Sequence, residues 1–238
     1  AVRIVGKLVL GVLGLVVVLV IFLHTSWGKS FVRGRIESKL NAMTTGSATL
    51  GELDYGFMFS SIELGKLEIR DAQDKPAIKV DRIALDLDRG ELLGGSLKIG
   101  ALAITGVDVD LVKREDGTSN LTGLFKPSDR KPMKAIAIGK LTVTGRATIT
   151  KPDGSVIAVR DLGITGTVDA KPIAQELDAT FETIAAKVDL KKPDSTRTLD
   201  IAITGITAKR RIDGIDVDIA KVAAGVLGID NLGAHVRL

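Results

Sequence analysis

The chain has 238 residues, 45% hydrophobic, with a formal net charge of +4 and no cysteine. The missing cysteines exclude disulfides, thiol nucleophiles and zinc–thiolate sites. Aromatic residues make up only 3% (one Trp, one Tyr, six Phe), so the basic charge has no interleaved stacking platforms and nucleic-acid binding is not expected. The apolar surface is therefore almost wholly aliphatic, a surface that acyl chains would match.

Ile4 to Leu23 is a 20-residue window whose only charge is Lys7. At about 1.5 Å per residue a helix of that length crosses the ~30 Å hydrocarbon core of a bilayer. The window predicts a transmembrane helix, with His24 and Trp27 at its interfacial end. A cleaved signal peptide is the rival, but His24-Thr25-Ser26-Trp27 lacks a small-x-small site. No Met opens the sequence, so residues upstream of Ala1 are expected. Arg3 and Lys7 precede the window while Lys29, Arg33, Arg35 and Lys39 follow it, and this count alone would leave the large domain cytoplasmic.

Ser30 to Met43 reads as a short amphipathic helix, with Val32, Ile36, Leu40 and Met43 on one stripe, Ser30 as its cap and Gly46 as its stop. The stripe suits a collar on anionic head groups and a plug on the end of a sheet equally well.

From Ala48 onward strands and turns dominate. In Leu97-Lys98-Ile99-Gly100-Ala101-Leu102-Ala103-Ile104 the apolar alternation slips by one at Gly100, which predicts a bulge that keeps all four large side chains on one face. The spacing recurs from Ile62 and Ile136 with Gly65 and Gly139 in place, and more loosely from Ile78 and Ile157. The 39 residues between the repeats at 97 and 136 leave room for two units. A generic bulged antiparallel protein is the plainer reading.

Polar clusters at Asp71–Pro76, Arg114–Gly117, Lys151–Gly154 and Lys191–Asp194 predict turns of a meander. Leu121 to Lys134, with two prolines, is the least regular stretch. Val222, Ala223, Val226 and Leu227 share a helical face, so Ile219 to Leu227 is expected to form a short helix. Leu232 to Leu238 reads as a strand with no stop signal, as in a truncated chain.

Reactive chemistry is sparse. Asp86 and Asp88, Asp108 and Asp110, and Asp216 and Asp218 each place two carboxylates on one strand face, as a metal or acid–base pair requires. Strand alternation produces the same pattern on a solvated outer face. His24 and His235 have no partner at a ligand spacing, and the Gly90–Gly95 segment lacks the Lys and Ser/Thr of a phosphate loop. No enzymatic activity, metal or cofactor is expected.

The order of several short motifs resembles the AsmA-like family. These are Arg35-Ile36-Glu37-Ser38-Lys39-Leu40, Ala48-Thr49-Leu50-Gly51-Glu52-Leu53-Asp54-Tyr55-Gly56, Leu64-Gly65-Lys66-Leu67-Glu68-Ile69-Arg70-Asp71, Val80-Asp81-Arg82-Ile83-Ala84-Leu85-Asp86-Leu87, Leu92-Leu93-Gly94-Gly95-Ser96-Leu97, Gly106-Val107-Asp108-Val109-Asp110-Leu111 and Asn120-Leu121-Thr122-Gly123-Leu124. The likeness covers about residues 1 to 125. It implies a bacterial inner-membrane protein with its main domain in the periplasm, against the charge count, and a role in phospholipid transport to the outer membrane or in outer-membrane assembly. Members that bridge the periplasm are much longer than this chain.

The expected architecture is mainly β: an N-terminal transmembrane helix and then a curved, mostly antiparallel repeated sheet forming an apolar groove. Its parts are an anchor over 1–28, a juxtamembrane amphipathic helix over 29–47 and a β-groove domain over 48–238. Leu97, Ile99, Leu102, Ile104, Leu141 and Val143 are the expected lipid-binding residues. Membrane phospholipids are the expected partners, joined by other envelope subunits or by further copies through sheet edges. A non-catalytic scaffold or anchor subunit of an envelope complex is the alternative.

Overall fold

The computed structural model describes residues 25–56, 60–88, 96–126, 135–192, 195–211, 214–225 and 227–237. The expected membrane anchor at Ile4–Leu23 lies outside them. Among the described residues no helix is long and apolar enough to cross a membrane.

Helix α1 spans Ser26–Met43, four residues earlier than the stripe predicts. Thr25, not Ser30, caps it: its Oγ1 accepts from the Gly28 amide at 3.2 Å, satisfying one of the free amides of the first turn. It ends at Thr44, whose amide still reaches Leu40 O at 3.1 Å, rather than at Gly46.

Among the described residues everything else regular is strand. Among the described residues these are β1 (Ser47–Tyr55), β2 (Ser61–Arg70), β3 (Pro76–Asp88), β4 (Ser96–Val112), β5 (Ala135–Thr150), β6 (Val156–Lys171), β7 (Glu176–Lys192), β8 (Ser195–Arg211), β9 (Gly214–Ala224) and β10 (Leu227–Arg237). They form one sheet in sequence order, β1 to β10. Every neighbouring pair is antiparallel except β4 and β5, which run parallel. The mainly β, mostly antiparallel expectation is met, and the sheet is not closed.

Three predicted turns share one construction. In Asp71–Lys75, Arg114–Thr118 and Lys151–Ser155 the first amide donates to the fifth carbonyl at 2.9 Å and the fourth amide returns to the first carbonyl. The fourth residue, Asp74, Gly117 or Gly154, is left-handed at φ 58°, 82° or 77°. An aspartate completes each turn by accepting a backbone amide. This is the three-residue hairpin loop that a left-handed residue closes.

Two expectations fail here. Ile219 to Leu227 is not a helix: β9 runs through to Ala224, and Leu227 opens β10. The residues whose shared face suggested a helix are divided between two strands, Val222 and Ala223 in β9 and Leu227 in β10. Nor does the 97-to-136 interval hold two units. It contains the rest of the 17-residue β4 and a crossover, as a parallel pair requires.

Among the described residues, Leu50, Tyr55, Val80, Ile99, Ala179 and Ile206 are buried along the sheet. A packed core cluster lies at one corner, formed by Ala48, Ile69, Ala77 and the crossover residue Leu124, with Leu40 of α1, Leu67, Ile78 and Leu121 packed against them. The Thr45 amide donates to Leu124 O at 2.9 Å and the Lys126 amide to Met43 O at 2.8 Å, fastening the crossover to the end of the helix. Leu40 packs on this corner, which is the plug arrangement; Val32 and Ile36 are half-buried and Met43 is exposed.

Candidate functional site

The expected lipid-contacting residues can be assigned to a face from strand register, since directly opposed residues project to the same side. Leu87 pairs with Ile99 and Leu85 with Leu102, leaving Gly100 as an extra residue in β4. Leu85 and Leu87 are two apart in β3 and share a face, so Ile99 and Leu102 do too. The bulge at Gly100 keeps the apolar set together, as its spacing predicts. Gly139 and Lys140 do the same in β5, where Ile138 pairs with Val168 and Leu141 with Gly166. Leu97 joins through Ile136 and Ala170, and Ile104 pairs with Val143. All six expected residues therefore lie on one face. Ile99 is buried and the other five are half-buried.

Gly65 behaves differently from expectation, because it introduces no extra residue. β1 and β3 pair through it without a register change, and the kink sits on Lys66, left-handed at φ 55°.

The register extends the site far beyond those six residues. One aliphatic row crosses every described strand: Leu53, Leu64, Ile83, Ile104, Val143, Ile164, Ile184, Ile203, Val222 and Ile229 are opposed in series. A second runs beside it through Tyr55, Ile62, Leu85, Leu102, Leu141, Gly166, Phe181, Ile206, Ile219 and Leu232. Gly166 leaves the place that Phe181 fills: a Cβ there would lie 2.9 Å from Phe181 Cδ1. The two rows are two residues apart up to β6. From β7 on they are three apart, because Glu182 enters as an extra residue opposite the Thr165–Gly166 step. The same wider spacing recurs at 181/184, 203/206, 219/222 and 229/232, and it is not among the sequence repeats read from Ile62 to Ile157.

The residues between the two rows face the other way and are polar or small. Asp54, Glu63, Ala84, Ala103, Thr142, Thr165, Thr183, Thr204 and Lys221 are opposed in series. Ion pairs decorate this second face. Arg82 grips Glu63 through two bonds of 2.6 and 2.7 Å, lowering the acid's pKa by hydrogen bonding to its charged form. Asp108 pairs with Arg146 at 2.6 Å and Asp88 with Lys98 at 3.7 Å. The Asp-x-Asp aspartates Asp86, Asp88, Asp108, Asp110, Asp216 and Asp218 all alternate with aliphatic residues, as an outer face requires. Among the described residues no three His, Asp or Glu side chains are grouped to hold a metal ion.

Asp189 is the most enclosed of the paired carboxylates, 6% exposed. It receives Arg160 Nε at 2.9 Å and the Thr198 hydroxyl at 2.7 Å. The Arg160 guanidinium first, then Thr198, hold its carboxyl below the usual range.

The two edges of the sheet differ. α1 seals that of β1: Asn41 Nδ2 donates to Ala48 O and Asn41 Oδ1 accepts from the Ala48 amide, both at 2.8 Å, which imitates a paired strand. Glu37 accepts from the Leu50 amide at 3.1 Å and Arg33 donates to Gly51 O at 2.8 Å. On β10, Leu227, Ile229 and Leu232 are 73%, 55% and 42% exposed. No family model, curated protein or solved structure matches this chain.

Proposed function

We propose that the protein is a membrane-anchored envelope protein whose sheet offers an aliphatic groove to phospholipid acyl chains, for transfer between inner and outer membrane or for outer-membrane assembly. The observation that carries this reading is the pair of aliphatic rows in register across β1 to β10. Among the described residues, one corner of the sheet carries a packed cluster with α1 and the crossover. A row of ten strands spaced ~4.8 Å apart is about 43 Å long. Each methylene that such a face takes from water gains about 0.8 kcal/mol, without polar recognition and without any bond being made or broken. The slips and bulges favour a trough, since an extra residue bends its strand and deepens the local twist. The periplasmic orientation and the inner-membrane anchor at 1–28 follow the resemblance to the AsmA-like family.

The test places a carboxylate in each face. Leu102→Asp and Val143→Asp put a charge into the aliphatic rows, where acyl chains cannot solvate it; Thr142→Asp puts it on the opposite face one residue away. The expected result is lost co-purifying phospholipid at the first two sites, with melting temperatures close to the parent, and full lipid in Thr142→Asp. Collapse of the fold at Leu102 and Val143, with no lipid on the parent protein, would instead mean that a second layer covers this face, as in a scaffold subunit.

A further inference from the structure

Helix α1 has two faces with different chemistry. One is committed to the sheet: Lys29, Arg33, Glu37 and Asn41, four residues apart, reach Asp54, Gly51, Leu50 and Ala48. Among the described residues the other has no partner in the sheet. Trp27 is 81% and Phe31 58% exposed, and the Arg35 guanidinium lies 5.6 Å from the Phe31 ring centroid. Ser38 and Ala42 continue this face, and Lys39 flanks it, all exposed. No acidic residue lies on it, because Glu37, the one acid of the helix, is held against the Leu50 amide. Two of the chain's eight aromatics are thus spent on an outward surface beside two cations, just after the apolar run Ile4–Leu23.

We propose that this face rests on an anionic bilayer surface, with the helix axis in the membrane plane, Trp27 and Phe31 at head-group depth, and Arg35 and Lys39 against lipid phosphates. Aromatic rings with a polar handle favour that interface, and anionic head groups attract basic residues close to the surface. The opposite face of the helix holds β1, so β1 becomes the strand nearest the bilayer. Both aliphatic rows then begin at the membrane and lead away from it. The inference rests on the reading of the chain as bilayer-attached, but not on lipid moving along the sheet.

Trp27 is the only tryptophan, which makes the test clean. The 238-residue chain is placed in vesicles of phosphatidylcholine and phosphatidylglycerol carrying bromine on upper acyl carbons, and tryptophan quenching is measured. The reporter is then moved along the outward face in Trp27→Phe/Phe31→Trp and Trp27→Phe/Ala42→Trp, at positions exposed enough to leave the fold intact, as far-ultraviolet circular dichroism checks. Residue 42 lies about 22 Å along the axis from residue 27. A helix lying flat is quenched to a comparable extent at all three positions. Quenching at 27 alone, with the reporter at 42 open to aqueous iodide, would overturn the proposal. Adding Arg35→Glu and Lys39→Glu to the residue-42 reporter should abolish its quenching; unchanged quenching would remove the electrostatic basis. Leu102→Asp separates the two readings: loss of bound lipid with quenching intact leaves the docked helix standing, and the converse leaves the groove standing.

Discussion

Gly100 and Gly106 both interrupt β4, yet they do so for different reasons. A Cβ on Gly100 would meet nothing closer than 3.9 Å, whereas on Gly106, left-handed at φ 67°, it would lie 2.0 Å from the Asp81 carboxylate. Gly100→Ala is therefore expected to stay within about 0.5 kcal/mol of the parent. Gly106→Ala is expected to lose about 1–3 kcal/mol through backbone strain, plus the displacement of Asp81. Urea unfolding of the two variants decides this. Bulges also recur in this chain without glycine, as at Asp161, left-handed at φ 52°, a conformation that aspartate adopts more readily than most side chains. Asp189 makes a separate prediction. Its pKa is lowered in the fold, so its stabilising contribution is full above the unfolded carboxylate value of about 3.9 and is lost as pH falls through the lower folded value. Asp189→Asn should lower the melting temperature at neutral pH and flatten its decline as pH falls below about 4. Melting curves across that window test both effects.

At the scale of elements, α1 acts as an edge guard as much as a helix. An unpaired strand edge invites association, and Asn41 answers it by offering an acceptor and a donor at strand geometry. Asn41→Ala removes three hydrogen bonds, two to Ala48 and one to Glu37 O, each worth about 0.5–1.5 kcal/mol. A loss of about 1.5–4.5 kcal/mol in urea unfolding is expected, together with concentration-dependent association in sedimentation. Ser38→Ala, on the outward face, should do neither. The sequence displays the apolar stripe of this helix but not its guarding role. Arg33, Glu37 and Asn41 look like ordinary solvated positions until β1 lies beside them.

For the whole molecule, the described residues form a single sheet with one corner cluster, so most strands draw their support from their neighbours. Stability in such an array is close to a sum of nearest-neighbour terms, so unfolding should be graded instead of all-or-none. Hydrogen exchange is expected to be slowest in β5–β8, whose strands are 16–17 residues long and paired on both sides. It should be fastest in β10, an 11-residue edge strand. Uniform protection across β1–β10 would contradict this and point to a covering layer.

What the sequence determined by itself was local. Aliphatic alternation, the one-residue slip at Gly100 and the Asp-bearing turns are written in neighbouring residues, because strand pleat and turn geometry act over two to five positions. Leu97, Ile99, Leu102 and Ile104 could be placed on one face of their strand, and Leu141 and Val143 on one face of theirs, from that information alone. The tertiary structure decided which strands are neighbours, and with it the continuity of the rows. Leu64, Ile83, Ile104, Val143 and Ile164 become one surface only through pairing register, and the parallel step from β4 to β5 depends on a crossover that carries no periodic signal. The helix expected at Ile219 to Leu227 failed for the same physical reason. Val222, Ala223, Val226 and Leu227 fit one helical face in isolation, but Val222 is held between Ile203 and Ile229, where backbone pairing on both sides outweighs local propensity.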